Sequence, residues 1–422
     1  MSYKIENIKQ NIKLHTIKTD KFKTNLFAIF LSTPLKRETV TKNALIPAVL
    51  RRGTKNLVSQ EEISKKLEEM YGATFDCGLE KTGDNQILKF YLETVNDEFL
   101  PNKANTLQNG INVLFDIVLN PLTENNVFKK EYVETEKENI RKIIESKKDN
   151  KDRYAFERCV EEMYKDKVYG LYKYGYIEDL EKINEINLYE DYLELINCAK
   201  IDIFASGDID KKDILEIAKN NSSIKNLKDR IDICVIDNVN SFKCKEEKTV
   251  EEKLNVTQGK LVIGTNVNFN EENAKYKISL YNVILGEGAS SKMFQNVREK
   301  ESLAYTARSN YIRQKSNIYI RCGIEIKNYE KAVEVIKKQL EDMKNGKFSE
   351  EDIKNAKEYV IASLRNIKEE QDSEISYWFG QELSGEHTSL KEYEEKINRV
   401  TKEDILKVAN SITIDTIYFL RN

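Results

Sequence analysis

The 422-residue sequence predicts an α+β fold written twice, each copy a mixed, largely antiparallel sheet with helices packed on one face. Three observations carry this. Strand-like runs alternate or carry polar residues instead of reading as continuous Val/Ile tracts, which disfavours an all-parallel sheet buried on both sides. The order of elements in the first half recurs in the second. Only four prolines occur, so the long charge-rich stretches can run as uninterrupted helices.

The elements follow in order. Residues 26–31, the most apolar run, are bounded by Asn25 and Ser32-Thr33-Pro34; the run is far short of the roughly 20 residues of a membrane span and reads as a buried strand. Residues 67–75 feed a hairpin around Gly83-Asp84-Asn85. A charged helical stretch, 103–165, comes next, and a helix over 188–197 then leads into a strand over 201–205. The weakly periodic stretch 221–252, with its run Lys243-Cys244-Lys245-Glu246-Glu247-Lys248, reads as a solvated linker. It divides an N-terminal domain, 1–220, from a C-terminal domain, 253–422. In the second half residues 301–308 feed a strand pair that turns near Gln314-Lys315-Ser316-Asn317. Helical residues fill 329–398, and a helix over 401–410 leads into a strand over 414–420.

The stretch 286–305 is the most informative. Gly286 and Gly288 allow a sharp backbone turn, and Ser290 and Ser291 suit a helix start because their hydroxyls accept from orphan backbone N–H groups. Met293, Phe294 and Val297 follow at helical spacing and should face a core. Arg298 then ends a helix, and Tyr305, seven residues on, begins a strand.

Composition excludes more than it proves. Lys and Arg total 68 against 71 Asp and Glu, a net charge of −3, which gives no global attraction to nucleic acid or acidic membranes. Six cysteines without a Cys-x-x-Cys pair fit reduced, packed thiols, and the N-terminal residues lack the basic-then-apolar order of a secretory signal. A cytoplasmic protein is expected. The two histidines, His15 and His387, exclude a three-histidine site or a two-histidine helical zinc motif, and each reads as a surface or cap residue. Gly286-x-Gly288 lacks the third glycine of a dinucleotide fingerprint, since Ser291 stands there, and no Gly-Lys-Ser/Thr phosphate loop accompanies it. Acid pairs such as Glu131 with Glu138 read as a solvated helix face.

The stretch 286–305, with the duplicated halves, resembles the pitrilysin/insulinase family of zinc peptidases, in its small-subunit branch that includes the mitochondrial processing peptidase. The resemblance implies two homologous α+β domains per chain and work in pairs that close around an extended peptide. Catalytic members carry His-x-x-Glu-His before a short apolar run and Gly-Thr. Aligned on Gly53-Thr54, the two histidine positions fall on Ala44 and Ala48, and the glutamate on Pro47. The distal zinc-binding glutamate falls near Glu138. What matches is the second-half pair Arg298 and Tyr305, which the resemblance assigns to an active site whose zinc is bound by the other chain. Within the family, the bacterial zinc-less subunit linked to elongation factor P maturation, encoded beside a zinc-bearing sister, is the group most resembled.

The resemblance therefore implies a non-metal subunit, inactive alone, with no cofactor of its own. Its partners would be a zinc-bearing homologous subunit and an unfolded or extended peptide, and isolated it could form a homodimer. The alternative is an inert peptide-binding or scaffold protein of the same fold. A metallopeptidase with an unfamiliar site is disfavoured by the histidine count.

Overall fold

A computed structural model describes residues 2–102, 104–227 and 246–422. The described residues form two compact units. Among the described residues, the first draws on 2–102, 104–145, 171–227 and 370–384, the second on 146–170, 246–369 and 385–422.

The first unit holds a six-stranded sheet in the spatial order Ser2–Lys9, Ile12–Lys18, Lys200–Gly207, Thr24–Pro34, Asn85–Val95, Thr74–Thr82. All neighbours are antiparallel except Ile12–Lys18 with Lys200–Gly207. The second unit orders five strands as Lys248–Lys253, Ile412–Arg421, Gly259–Val267, Asn317–Ile324, Ala304–Ile312, with only the first pair parallel. Leaving aside Ser2–Lys9, the two sheets match strand for strand in chain order, neighbour and direction. The predicted duplication is thus present in the topology, and the α+β class with it.

Local chemistry sets the turns and helix starts. The hairpin Thr82–Asn85 turns on Gly83 at φ 56°, the glycine-first geometry of a tight hairpin. Helix Glu350–Ile367 opens on a reciprocal cap between Ser349 and Asp352, and Lys402–Asn410 on one between Thr401 and Asp404.

In the first unit one sheet face packs Ile29, Leu31, Phe90 and Leu92 against helices that include Val40–Leu50 and Thr106–Leu119. The opposite face carries one more helix, Gln371–Leu383, whose Ile375, Trp378, Phe379 and Leu383 cover Ala28, Phe30 and Phe204. The second unit repeats the device with Lys151–Met163, which lays Tyr154, Ala155, Cys159 and Val160 on Val262, Tyr319 and Tyr418. These two helices lie in sequence among residues of the opposite half, which is why each unit is discontinuous. Charge-rich helices hid this, because period alone does not say which sheet a helix covers.

The expected linker is structured at both ends: Ser222–Asn226 is a helix and Lys248–Lys253 a strand. Residues 228–245 lie outside the described residues.

His15 overturns its expected place at the surface. It is 0% exposed, because strand Ile12–Lys18 is interior to the sheet and its neighbour supplies Asp202, whose Oδ1 lies 2.9 Å from His15 Nε2. Tyr3 Oη meets Nδ1 at 2.8 Å and stacks its own ring on Trp378. The histidine is a core connector.

Beside it, the Glu382 carboxylate accepts from Lys13 at 2.5 Å and Lys200 at 2.6 Å. Burial raises its pKa, but the two ammonium groups outweigh burial and hold the carboxyl below the usual range. A depressed folded pKa stabilises above the unfolded value, about 4.3, and that contribution is lost as pH falls through the folded value. Glu382→Gln is therefore expected to destabilise by about 3 kcal/mol at pH 7, because it leaves Lys13 without its carboxylate and Lys200 with only Asp202, at 3.7 Å. Thermal unfolding at pH 7 and pH 3 should show the gap between variant and parent shrinking at the lower pH.

Candidate functional site

Gly286 is the last residue of helix Ala274–Gly286 and lies against strand Ala304–Ile312. A Cβ there would sit 2.4 Å from Ser309 backbone nitrogen, so only glycine fits. The same contact is tied by Ser309 Oγ, which donates to Asn282 Oδ1 at 2.8 Å. Asn282 Nδ2 in turn donates to Glu287 at 2.6 Å, a carboxyl whose pKa burial raises. Gly288 turns the chain at φ 82°. Ser291, as expected of a helix start, donates to Gly288 carbonyl at 2.8 Å and accepts from Phe294 N–H at 3.4 Å.

The helix that follows, Met293–Lys300, is wound as a π-helix, a rare conformation found often at functional sites. Glu301 N–H closes on Asn296 carbonyl, five residues back. Met293 and Val297 are buried as predicted, and Asn296 and Lys292 fasten the outer side to Gln339 and Asp352, each at 2.7 Å. Phe294 departs from its expected core position. It is half-buried and carries the Arg298 guanidinium 4.5 Å above its ring. Arg298 is 43% exposed, with Glu299 at 3.4 Å from its Nε as its ion-pair neighbour. Stacking on Phe294 limits the guanidinium's rotation and leaves donors of its fork open.

Three residues separate this helix from the strand, with Ser302 at φ 49° making the turn. Ala304–Ile312 is the edge strand of its sheet, and its register slips at the start. Ala304 faces Ile324 and Thr306 faces Gly323, so Tyr305 is the bulged residue with no partner across the ladder. A bulge re-aims a side chain out of the pleat, and Tyr305 is 63% exposed. Lys327 lies nearby; its ammonium is favoured chiefly by the hydrogen bond to Glu325 and in smaller part by the Tyr305 phenol. Sequence reading singled out Arg298 and Tyr305 and did not single out Phe294, which carries the guanidinium, or Lys327, a neighbouring cation. An aromatic four residues before the arginine was the available signal for the first.

In the first unit, Ala44, Pro47 and Ala48 lie on helix Val40–Leu50 and line a cavity of about 310 Å³. The carboxylate facing it is Glu136, 4% exposed, and not Glu138. The buried stripe of helix Lys130–Glu145 runs Val133, Glu136, Ile140, which leaves Glu138 outside, where it pairs with Arg141. Arg52 Nε donates to Glu136 Oε1 at 2.5 Å, and Asn139 Nδ2 to its other oxygen at 3.0 Å. Cys77 also lines the cavity, and burial pushes its thiol up to about 11, so it stays protonated. Among the described residues no three His, Cys, Asp or Glu side chains come together to hold a metal ion. His387 borders a different cavity, of about 500 Å³, in the second unit.

Two topologically matched α+β units, with no three metal-ligating side chains together among the described residues, define the fold. Residues 187–360 match the family described as "Peptidase M16 inactive domain". The "Probable inactive metalloprotease YmfF" of Bacillus subtilis (strain 168) is 33% identical over 408 residues, covering 96% of this chain and 95% of that one. The crystal structure of a conserved protein from Enterococcus faecalis V583 superimposes with a TM-score of 0.89 at 25% identity, covering 100% of this chain and 99% of the other. That of a peptidase M16 inactive domain from Pseudomonas fluorescens does so with 0.79 at 14% identity, covering 100% and 98%. The chain belongs to the M16 peptidase family, as an inactive member. Zinc is a property of its active relatives. Among the described residues no helix is long and apolar enough to cross a membrane.

Proposed function

We propose that this chain is the non-metal subunit of a heterodimeric zinc endopeptidase and lends Arg298 and Tyr305 to its partner's site. One observation carries the reading: a bulge exposes Tyr305 just after a π-helix that presents Arg298, in a chain that has Ala44, Pro47 and Ala48 where the resemblance puts the metal-binding motif. A scaffold has no chemical need of either device.

The partner's zinc would supply a hydroxide able to attack a peptide bond. This chain's residues do the rest of its share. The Tyr305 hydroxyl donates to the oxyanion that forms on the attacked carbonyl. The Arg298 fork grips a carbonyl or carboxylate of the extended substrate and fixes its register. Free thiols at Cys77, Cys159, Cys198 and Cys322 support a reducing compartment, and we place the pair in the cytoplasm.

The experiment mixes this chain with a zinc-bearing M16 relative from the same genome and follows cleavage of an unfolded fluorogenic peptide. This chain alone should be inactive and the mixture active. If the relative cleaves equally fast with or without this chain, the reading is wrong and an inert scaffold is left.

A further inference from the structure

The cavity lined by Ala44, Pro47 and Ala48 carries charged groups of its own. Its walls are largely apolar, built from Ala44, Pro47, Ala48, Leu79, Ile140 and Tyr174. Of the ionised groups lining it, Glu136 and Arg52 are spent on each other, and Arg52 Nη1 donates onward to Gln60 at 3.2 Å. Asn139 takes the remaining Glu136 oxygen. Arg51 lines the same cavity, and its guanidinium makes no hydrogen bond or ion pair with another described residue. The nearby Cys77 thiol is neutral and offers no compensating charge. One uncompensated positive charge thus faces a pocket with apolar walls.

A guanidinium in such surroundings gains most from an anion that matches its planar fork, and a carboxylate does so with two parallel hydrogen bonds. A phosphate would meet the same fork, but it carries more negative charge than one uncompensated guanidinium can offset. About 310 Å³ is at the small end of ligand pockets, room for a terminal residue and not for a folded segment.

We propose that this cavity is a carboxylate site, in which Arg51 takes a peptide carboxylate whose adjoining side chain is apolar and packs on Ala44, Pro47 and Ala48. The carboxylate is either a peptide C-terminus or an acidic side chain next to an apolar residue. The site stands on the first unit alone and does not depend on the roles given to Arg298 and Tyr305.

The test uses the full chain without a partner and the fluorescence of a dansyl-labelled tetra-alanyl-leucine. The free acid is expected to bind about 10-fold or more tighter than its C-terminal amide, the effect of losing a charge-assisted hydrogen-bond pair. Arg51→Gln should remove that difference while leaving the amide unchanged, and Arg51→Lys should keep part of it. An amide-capped peptide with an internal glutamate before leucine distinguishes the two sources, since binding equal to the free acid assigns the carboxylate to a side chain. Acid and amide binding alike, with the internal-glutamate peptide binding no tighter than either, would overturn the proposal without recourse to any variant. So would a folded Arg51→Gln chain that still prefers the acid, or inorganic phosphate that displaces the peptide at equal concentration. Because no zinc-bearing partner is present, failure here leaves the subunit reading standing.

Discussion

Tyr305→Phe in the assembled pair is expected to lower kcat by about 10²–10³-fold, the cost of removing one preorganised donor to an oxyanion. The loss should fall on kcat more than on KM, because the charge that Tyr305 meets develops only as the carbonyl is attacked. Arg298→Ala should behave differently. A fork that holds the substrate equally in ground and transition states contributes uniform binding, so its removal raises KM, by about 10-fold or more for a hydrogen bond involving a charged group. Arg298→Lys keeps the charge but loses the fork and its stacking on Phe294, and should fall between. All three variants should unfold within about 0.5 kcal/mol of the parent, since the altered atoms are substantially exposed. Steady-state kinetics of the mixture reads the split. Two folded variants that cleave like the parent would remove the assignment and favour the inert scaffold.

The local geometry around that pair was legible in the sequence because its signals are local. Gly288, Ser291, Met293 and Val297 each report a requirement within a few residues that the structure meets, whereas Gly286 answers to a close approach and Ser290 is exposed. The duplication was legible for the same reason, as helix-then-strand order repeated. What could not be read is long-range. Helices Lys151–Met163 and Gln371–Leu383 each pack in a unit otherwise built largely from the other half, and nothing in an amphipathic pattern names the sheet it will cover. His15 looked like a lone polar residue because its partner Asp202 is far away in sequence. The resemblance puts the distal glutamate near Glu138; only the phase of the helix, set by Val133 and Ile140, shows that Glu136 is the carboxylate that points inward. The π-winding of Met293–Lys300 was equally hidden, since residues spaced for an α-helix also serve the wider turn.

The two glycines that open this stretch should separate under mutation, because they are there for different reasons. Gly288 sits at φ 82°, and a Cβ would meet only Tyr359 ring atoms at 3.4 Å, an ordinary contact; Gly288→Ala is expected to cost about 1 kcal/mol of left-handed strain. Gly286 has no such φ, yet its Cβ would lie 2.4 Å from a backbone nitrogen of Ser309. Relief requires moving strand Ala304–Ile312 away from helix Ala274–Gly286, and with it the Ser309–Asn282 bonds. Gly286→Ala is therefore expected to cost about 3 kcal/mol, at the upper end for an overpacked core. The displaced strand is the one that carries Tyr305, so the variant that remains folded at low temperature should also lose cleavage in the mixture, whereas Gly288→Ala should retain most of it. Urea unfolding together with single-turnover cleavage measures both. If Gly286→Ala is as stable as Gly288→Ala, the close approach of helix to strand is not what fixes this glycine, and the positioning of Tyr305 by that contact fails with it.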